Sequence, residues 1–351
     1  MKVVITGAAG YVGSALTVLL AMKGHHVVAV DNDKRRLHCL AAFPFPRDNV
    51  EFHSCSLEEL IRRLELLSDG HAVVHLAGIS SDSAAEQAPE LTRRVNVDLA
   101  VELAQAAKSV GTTKFLLAST IAIYQVPVGH RLEHEIFRED DQPPLGTPIG
   151  VYAQSKLAAE QALTSLSNAD FTVIMLRKGS LYGYSPIMRW DLVINRMTLN
   201  AWKRQSVLLH DLGAVWRPIA HVEDAASAYL HLVELPPWRT NGLAFNLLER
   251  NARLSEVCLE TDDVLRHMLG RGIELRHGTS PLTQRTGRVS GESLRRAGWR
   301  PRRFLREGLA ELLRKLETRD IDLPEVLAQE TQVEQPSGLY QMINQTTQSG
   351  D

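Results

Sequence analysis

Cysteine, aromatic residues and net charge are all scarce in this chain. Only three cysteines occur in 351 residues, Cys39, Cys55 and Cys258, and their spacing matches neither C-x-x-C nor a metal-ligand pattern. That argues against a disulfide framework and a thiolate metal site. The formal charge of −2 leaves no basic footprint for a nucleic acid or an anionic membrane surface. No apolar run approaches the roughly 20 residues that cross a bilayer. The run at the N-terminus stops at Thr6-Gly7, too short for a secretory leader, and a cytoplasmic protein is expected. What is present, 44% hydrophobic and 23% charged residues, is the mixture of a globular protein with room for one large domain or two fused ones.

The first half alternates short apolar runs rich in β-branched residues with segments of helical period. The runs are Val3 to Ile5, His26 to Val30, Ala72 to Leu76, Lys114 to Ala118 and Phe171 to Leu176. Their near-continuous hydrophobicity suits parallel strands covered on both faces, and predicts a doubly wound α/β sheet over residues 1–176. Ile219 to Leu235 reads as a helix and Leu243 to Leu247 as a strand, so 215–248 is expected to return to that sheet. Residues 177–214 and 249–325 then make a smaller, non-contiguous C-terminal domain. The polar stretch 331–351 predicts a frayed tail.

Gly7, Gly10 and Gly13 form G-x-x-G-x-x-G between the first strand and a helix starting near Tyr11. Glycines let the backbone approach a pyrophosphate, and the helix N-terminus offers free N–H groups and a positive dipole end. Asp31 ends the second strand about 20 residues on, where a carboxylate accepts hydrogen bonds from the adenosine ribose. A carboxylate there also repels a 2′-phosphate, so NAD is favoured over NADP. Lys34, Arg35 and Arg36, close behind, can pair with such a phosphate, or simply start a solvated helix.

Tyr152 and Lys156 stand at i and i+4, on one face of a helix. A Y-x-x-x-K match arises by chance about once in a chain this long, so context must decide. An alcohol that loses hydride needs a base for its hydroxyl proton, and a phenol serves only if a nearby cation favours the phenolate. Lys156 and an oxidised nicotinamide would supply that charge. A hydroxyl to orient the substrate oxygen is expected at the C-terminal end of a central strand, and Thr120 is the candidate.

Taken together, Thr6 to Gly13, His75 to Gly78, Arg94 to Val97, Ser119-Thr120 with Tyr124, Tyr152 to Lys156, Leu176-Arg177 ahead of Tyr182-Gly183, and Arg217 to Asp224 resemble the extended short-chain dehydrogenase/reductase superfamily. The likeness is to its NAD-dependent sugar-nucleotide epimerase/dehydratase group, and it covers about the first 250 residues in the family's order. It implies a Rossmann-type sheet with NAD as cofactor. Gly7, Gly10, Tyr11, Val12 and Gly13 would hold the pyrophosphate and Asp31 and Asn32 the ribose. Leu76, Ala77 and Gly78 would line the cleft, with Asn96 supporting it. Thr120, Tyr152 and Lys156 take the catalytic roles. Ser80, Thr120, Ser180, Arg189, Asn195 and Arg217 are the candidate substrate contacts, and Arg217 matches a position that grips a diphosphate.

Three departures from the family pattern bear on function. The Gly-Asp pair after the third strand, whose carboxylate meets adenine, is replaced by Ser54-Cys55-Ser56. Ser180 stands where many relatives carry Asn. Ile121 and Ala122 follow Thr120 where dehydratases, decarboxylases and 3,5-epimerising relatives place an acid or a cysteine. What remains is hydride removal and return, and the leading expectation is an epimerase of a nucleotide-activated sugar. An NAD(P)-dependent dehydrogenase or ketoreductase comes second and a non-catalytic NAD sensor third. The segment Tyr182 to Asn195 is expected to roof the substrate pocket, with Tyr184 and Trp190 either stacking on ligand or packing in the core. The Ala- and Leu-rich helices near 91–110 and 152–166 pair across a two-fold axis in the family, which implies a homodimer.

Overall fold

The computed structural model describes residues 1–127, 135–141, 149–278 and 284–318; the expected tail at 331–351 lies outside them. Nine strands and eight helices fix the site. The strands are β1 (Lys2–Thr6), β2 (His26–Asp31), β3 (Val50–Ser54), β4 (Ala72–His75), β5 (Lys114–Thr120), β6 (Thr172–Lys178), β7 (Ser180–Tyr182), β8 (Trp216–His221) and β9 (Leu243–Leu247). The helices are α1 (Tyr11–Met22), α2 (Lys34–Ala42), α3 (Leu99–Ser109), α4 (Val151–Thr164), α5 (Val193–Arg204), α6 (Val222–Glu234), α7 (Leu254–Leu269) and α8 (Leu305–Glu317).

Seven strands form one sheet in the order β9-β6-β5-β4-β1-β2-β3, parallel throughout. Alternate residues feed two cores. Val3, Ile5, Leu116, Ala118, Ile174 and Leu176 meet Leu16 and Leu20 of α1 and Tyr229 and Leu232 of α6. Val4, Val28, Phe115, Leu117, Val173 and Met175 meet Leu103 of α3 and Leu163 of α4. Each large apolar side chain so buried contributes about 1.5–3 kcal/mol relative to exposure, which is why the central strands are apolar at nearly every position. The edge strand β3 carries Glu51 and His53 and is partly exposed, so it lacks that continuity.

The return to the sheet differs from the expected one. Ile219 to His221 belong to β8, which pairs with β7 and with Arg250–Arg253 in a separate three-stranded sheet. The helix begins only at Val222, where the His221 imidazole accepts a hydrogen bond from the Glu223 N–H and caps it. Leu243–Leu247 does join the main sheet, beside β6. A third core, including Ile194, Met197, Val257, Leu265, Leu309 and Leu313, unites α5, α7 and α8. Among the described residues no helix is long and apolar enough to cross a membrane.

Candidate active site

The parallel strands end at one edge, and the loop from β1 to α1 passes over it. Gly7 has φ of +69°, and a Cβ on Gly13 would lie 2.0 Å from the Gly7 carbonyl oxygen, so the turn has no room for side chains at these positions. α1 starts without a side-chain cap, which leaves its first N–H groups for a pyrophosphate. Asp31 accepts from the Ala9 N–H at 2.9 Å and the Asp33 N–H at 3.0 Å, so its carboxylate is aimed beside the glycine turn. Burial raises its pKa, and the two backbone N–H groups pull the other way. Asn32 is exposed next to it. These residues fit the pyrophosphate and ribose of a dinucleotide.

Leu76, Ala77 and Gly78 continue from β4 along the same edge. The Ala77 N–H donates to Thr6 Oγ1, 3.3 Å away, and that hydroxyl also bonds His75 Nδ1 at 2.8 Å. Asn96 lies in a π-helical turn, Arg94–Asp98, and is fully buried. Its amide accepts from Ile79 N–H and donates to Ile79 O, both at 2.9 Å, and donates to Ser155 Oγ at 3.0 Å. One side chain thus clamps the cleft wall to the helix that bears Tyr152 and Lys156.

Those two residues and Thr120 come together. Thr120 closes β5, with its hydroxyl accepting from the Ala122 N–H at 3.1 Å and bonded to the Tyr152 phenol. Ser155 donates to the Tyr152 carbonyl at 2.7 Å. The buried Lys156 ammonium lies against Gly78, and burial pulls its pKa down to about 8 while Glu160 pushes it up. The expected lowering of the phenol by Lys156 is not what the chain's own groups produce. Burial lifts Tyr152 to about 12, against which the Thr120 hydroxyl and the Arg189 charge pull down. A proton acceptor here needs the further positive charge of an oxidised nicotinamide.

Beneath the helix that bears Tyr152 and Lys156 lies a buried ion pair that the sequence reading did not single out. Arg177 Nε is 3.0 Å from Glu160 Oε1, and Arg177 Nη2 is 2.6 Å from Glu160 Oε2. Arg177 also donates to the Tyr124 hydroxyl, and Ser119 donates to Glu160. Tyr152, Lys156 and Glu160 follow one another at steps of four, so the spacing that revealed the first two also pointed to the third.

The substrate candidates divide. Arg189 joins Ser80 Oγ at 2.9 Å and forks onto Asp191, with its Nε 3.0 Å from Oδ1. Its charge reaches Tyr152. Arg217 acts on Asp82, whose pKa burial raises and Arg217 lowers. Ser180 is partly exposed and level with Ile219. Asn195, by contrast, is fully buried. Its Oδ1 accepts from Gly183 N–H at 3.0 Å and its Nδ2 donates to Tyr11 Oη at 3.1 Å and Arg189 O at 3.0 Å. Its amide is committed to the fold, as is the Tyr11 phenol, which donates to Gly183 O at 2.6 Å. Trp190 packs in a core with Leu199 and Leu312, and Lys315 sits over the ring of Tyr184. Both aromatics serve packing more than stacking on a ligand.

Among the described residues no group of three His, Cys, Asp or Glu side chains is placed to hold a metal. The sequence pattern of the NAD dependent epimerase/dehydratase family matches residues 3–247, from the first strand of the main sheet to its last. UDP-glucuronic acid decarboxylase 2 of Arabidopsis thaliana is 27% identical over 91% of this chain and 69% of its own length. UDP-glucose 4-epimerase 2 of Oryza sativa subsp. japonica is 29% identical over 52% of this chain and 45% of its own. The fold is shared with UDP-glucose 4-epimerase of Thermus thermophilus in its complex with NAD, at a TM-score of 0.73 and 23% identity over 90% of this chain and 99% of that one. With the glycine turn, Asp31 and the Thr120, Tyr152 and Lys156 cluster at one sheet edge, the chain belongs to the NAD dependent epimerase/dehydratase family, and NAD is the cofactor its cleft accepts.

Proposed function

We propose that the protein inverts an alcohol-bearing carbon of a nucleotide-activated sugar. The observation that carries this reading is a Thr120, Tyr152 and Lys156 cluster followed by Ile121 and Ala122, whose side chains cannot move a proton. Thr120 orients the substrate hydroxyl, Tyr152 accepts its proton once the positive charge of the oxidised nicotinamide favours the phenolate, and Lys156 holds the nicotinamide ribose beside it. NAD, when bound, accepts hydride from the carbon and gives it back. The substrate becomes a ketone by losing one hydride and one proton, and regains both, the hydride on the opposite face. Elimination or decarboxylation would call for a further acid or base beside Thr120. Arg189, bonded to Ser80, and Arg217, whose charge acts on Asp82, suit a diphosphate.

Mass spectrometry of the purified protein is expected to find NAD retained. A panel of nucleotide-activated sugars followed by NMR is expected to show inversion at one ring carbon with no net change in cofactor. Accumulating NADH, or release of carbon dioxide or water, would overturn the reading. We also propose a homodimer built on α3 and α4; a monomer's mass in light scattering at micromolar concentration would refute it.

A further inference from the structure

Lys178 is the last residue of β6 and stands level with Thr120 on β5. Parallel partners at one level project to the same face, so both side chains leave the sheet together at its ligand edge. Lys178 Nζ lies 3.3 Å from the Tyr229 hydroxyl of α6 and 5.8 Å from the centre of that ring. Lys156 comes from α4, on the other face of the sheet, and lies near enough for the two ammonium groups to repel. Tyr229 in turn feels the charge of Tyr152. A second lysine and tyrosine therefore oppose the catalytic pair across the ends of β5 and β6, and the proton transfer described above uses neither.

We propose that Lys178 sets how the cleft ranks reduced against oxidised nicotinamide, its positive charge opposing the cationic ring of NAD but not the neutral ring of NADH. This rests on the proposed placement of the nicotinamide beside Tyr152 and Lys156. The groups that act on Lys178 are Tyr229 from α6 and Lys156 from α4, and Tyr152 acts in turn on Tyr229. Burial and the Lys156 charge both disfavour its ammonium, and its pKa falls to about 7. Below that value the charge is present and NADH is preferred; above it the preference fades. A tilt toward NADH eases removal of hydride from an alcohol.

Calorimetric titration of the full chain, stripped of nucleotide, with NAD and with NADH at about pH 6 and about pH 8.5 reads the ratio of the two affinities. In the unaltered protein the NADH preference should be on the order of tenfold larger at the lower pH, the size of one partly screened charge at close range. Lys178→Met should remove that excess, whereas Lys178→Arg, which keeps its charge, should hold the preference at both pH values. Lys178→Gln replaces the Met variant if that one does not fold. An affinity ratio that Lys178→Met or Lys178→Gln leaves unmoved overturns the proposal. Failure of the epimerase reading shows elsewhere, as turnover that survives Tyr152→Phe, so the two outcomes are separable.

Discussion

The strand ends and the segment from Tyr182 to Asn195, expected to roof the pocket, hold their backbones by different means. At the strand ends the backbone is held by sheet and helix hydrogen bonds, which leaves the Tyr152 phenol and the Lys156 ammonium available to a ligand. The roof has little regular structure, so its backbone polar groups must be satisfied by side chains. Asn195 and Tyr11 are spent on Gly183, and Ser185 donates to the Tyr11 carbonyl at 2.6 Å and pairs with Ser14 at 2.8 Å. A polar residue facing a cleft is free for function only where something else already holds the chain.

The sharpest way to break this contrast is at Tyr152. Tyr152→Phe keeps the ring and should cut turnover by about 10²–10⁴-fold, with thermal stability and NAD affinity nearly unchanged in calorimetry. Lys156→Ala should be worse in both rate and NAD affinity. Combining the two should cost far less than the product of the singles, because they act as a unit. A large fall in melting temperature for Tyr152→Phe would place that phenol among the struts.

Asn195→Ala probes the irregular segment. It orphans the Gly183 N–H in a buried place, for a loss of about 1–3 kcal/mol, read as a lower melting temperature with or without NAD. If stability held and only KM rose, Asn195 would be a substrate contact and the contrast would fail.

Asp31 braces the glycine turn and is the proposed ribose ligand, and the effect expected there is the smallest. NAD should bind at least about tenfold tighter than NADP, since the carboxylate meets a 2′-phosphate as a like charge. Asp31→Asn should narrow that gap in the same calorimetric comparison. Equal affinities for the unaltered protein would shift the credit to Lys34, Arg35 and Arg36.

This contrast also governs what could be read from the chain beforehand. β1, β2, β4, β5 and β6 announce themselves because burial on both faces demands apolar residues at successive positions. β3, exposed at the sheet's edge, does not. Tyr152 and Lys156 are legible as an i, i+4 pair, and Glu160 lies one further step of four along the same helix, where the sequence reading did not follow it. The direction in which a side chain points out of an irregular segment depends on long-range contacts. Asn195 therefore looked like a ligand to the substrate and proves to be a brace, and Trp190 turns into the core. Lys178 was hidden for a related reason: its neighbour Tyr229 lies on a helix far along the chain.

The packing of α6 along α1 bears on the order in which the molecule can be assembled. α1 follows the first strand, yet the apolar face made by Leu16 and Leu20 is covered by Ala225, Tyr229 and Leu232. During synthesis that face waits bare until residues beyond α6 have emerged. A fragment ending at Leu176 would contain the glycine turn, Asp31, Thr120, Tyr152 and Lys156 and still expose this surface, with β6 left as an open edge. Such a fragment is expected to aggregate or engage chaperones; covering α1 takes the chain through α6, and pairing the open edge of β6 takes it through Leu247.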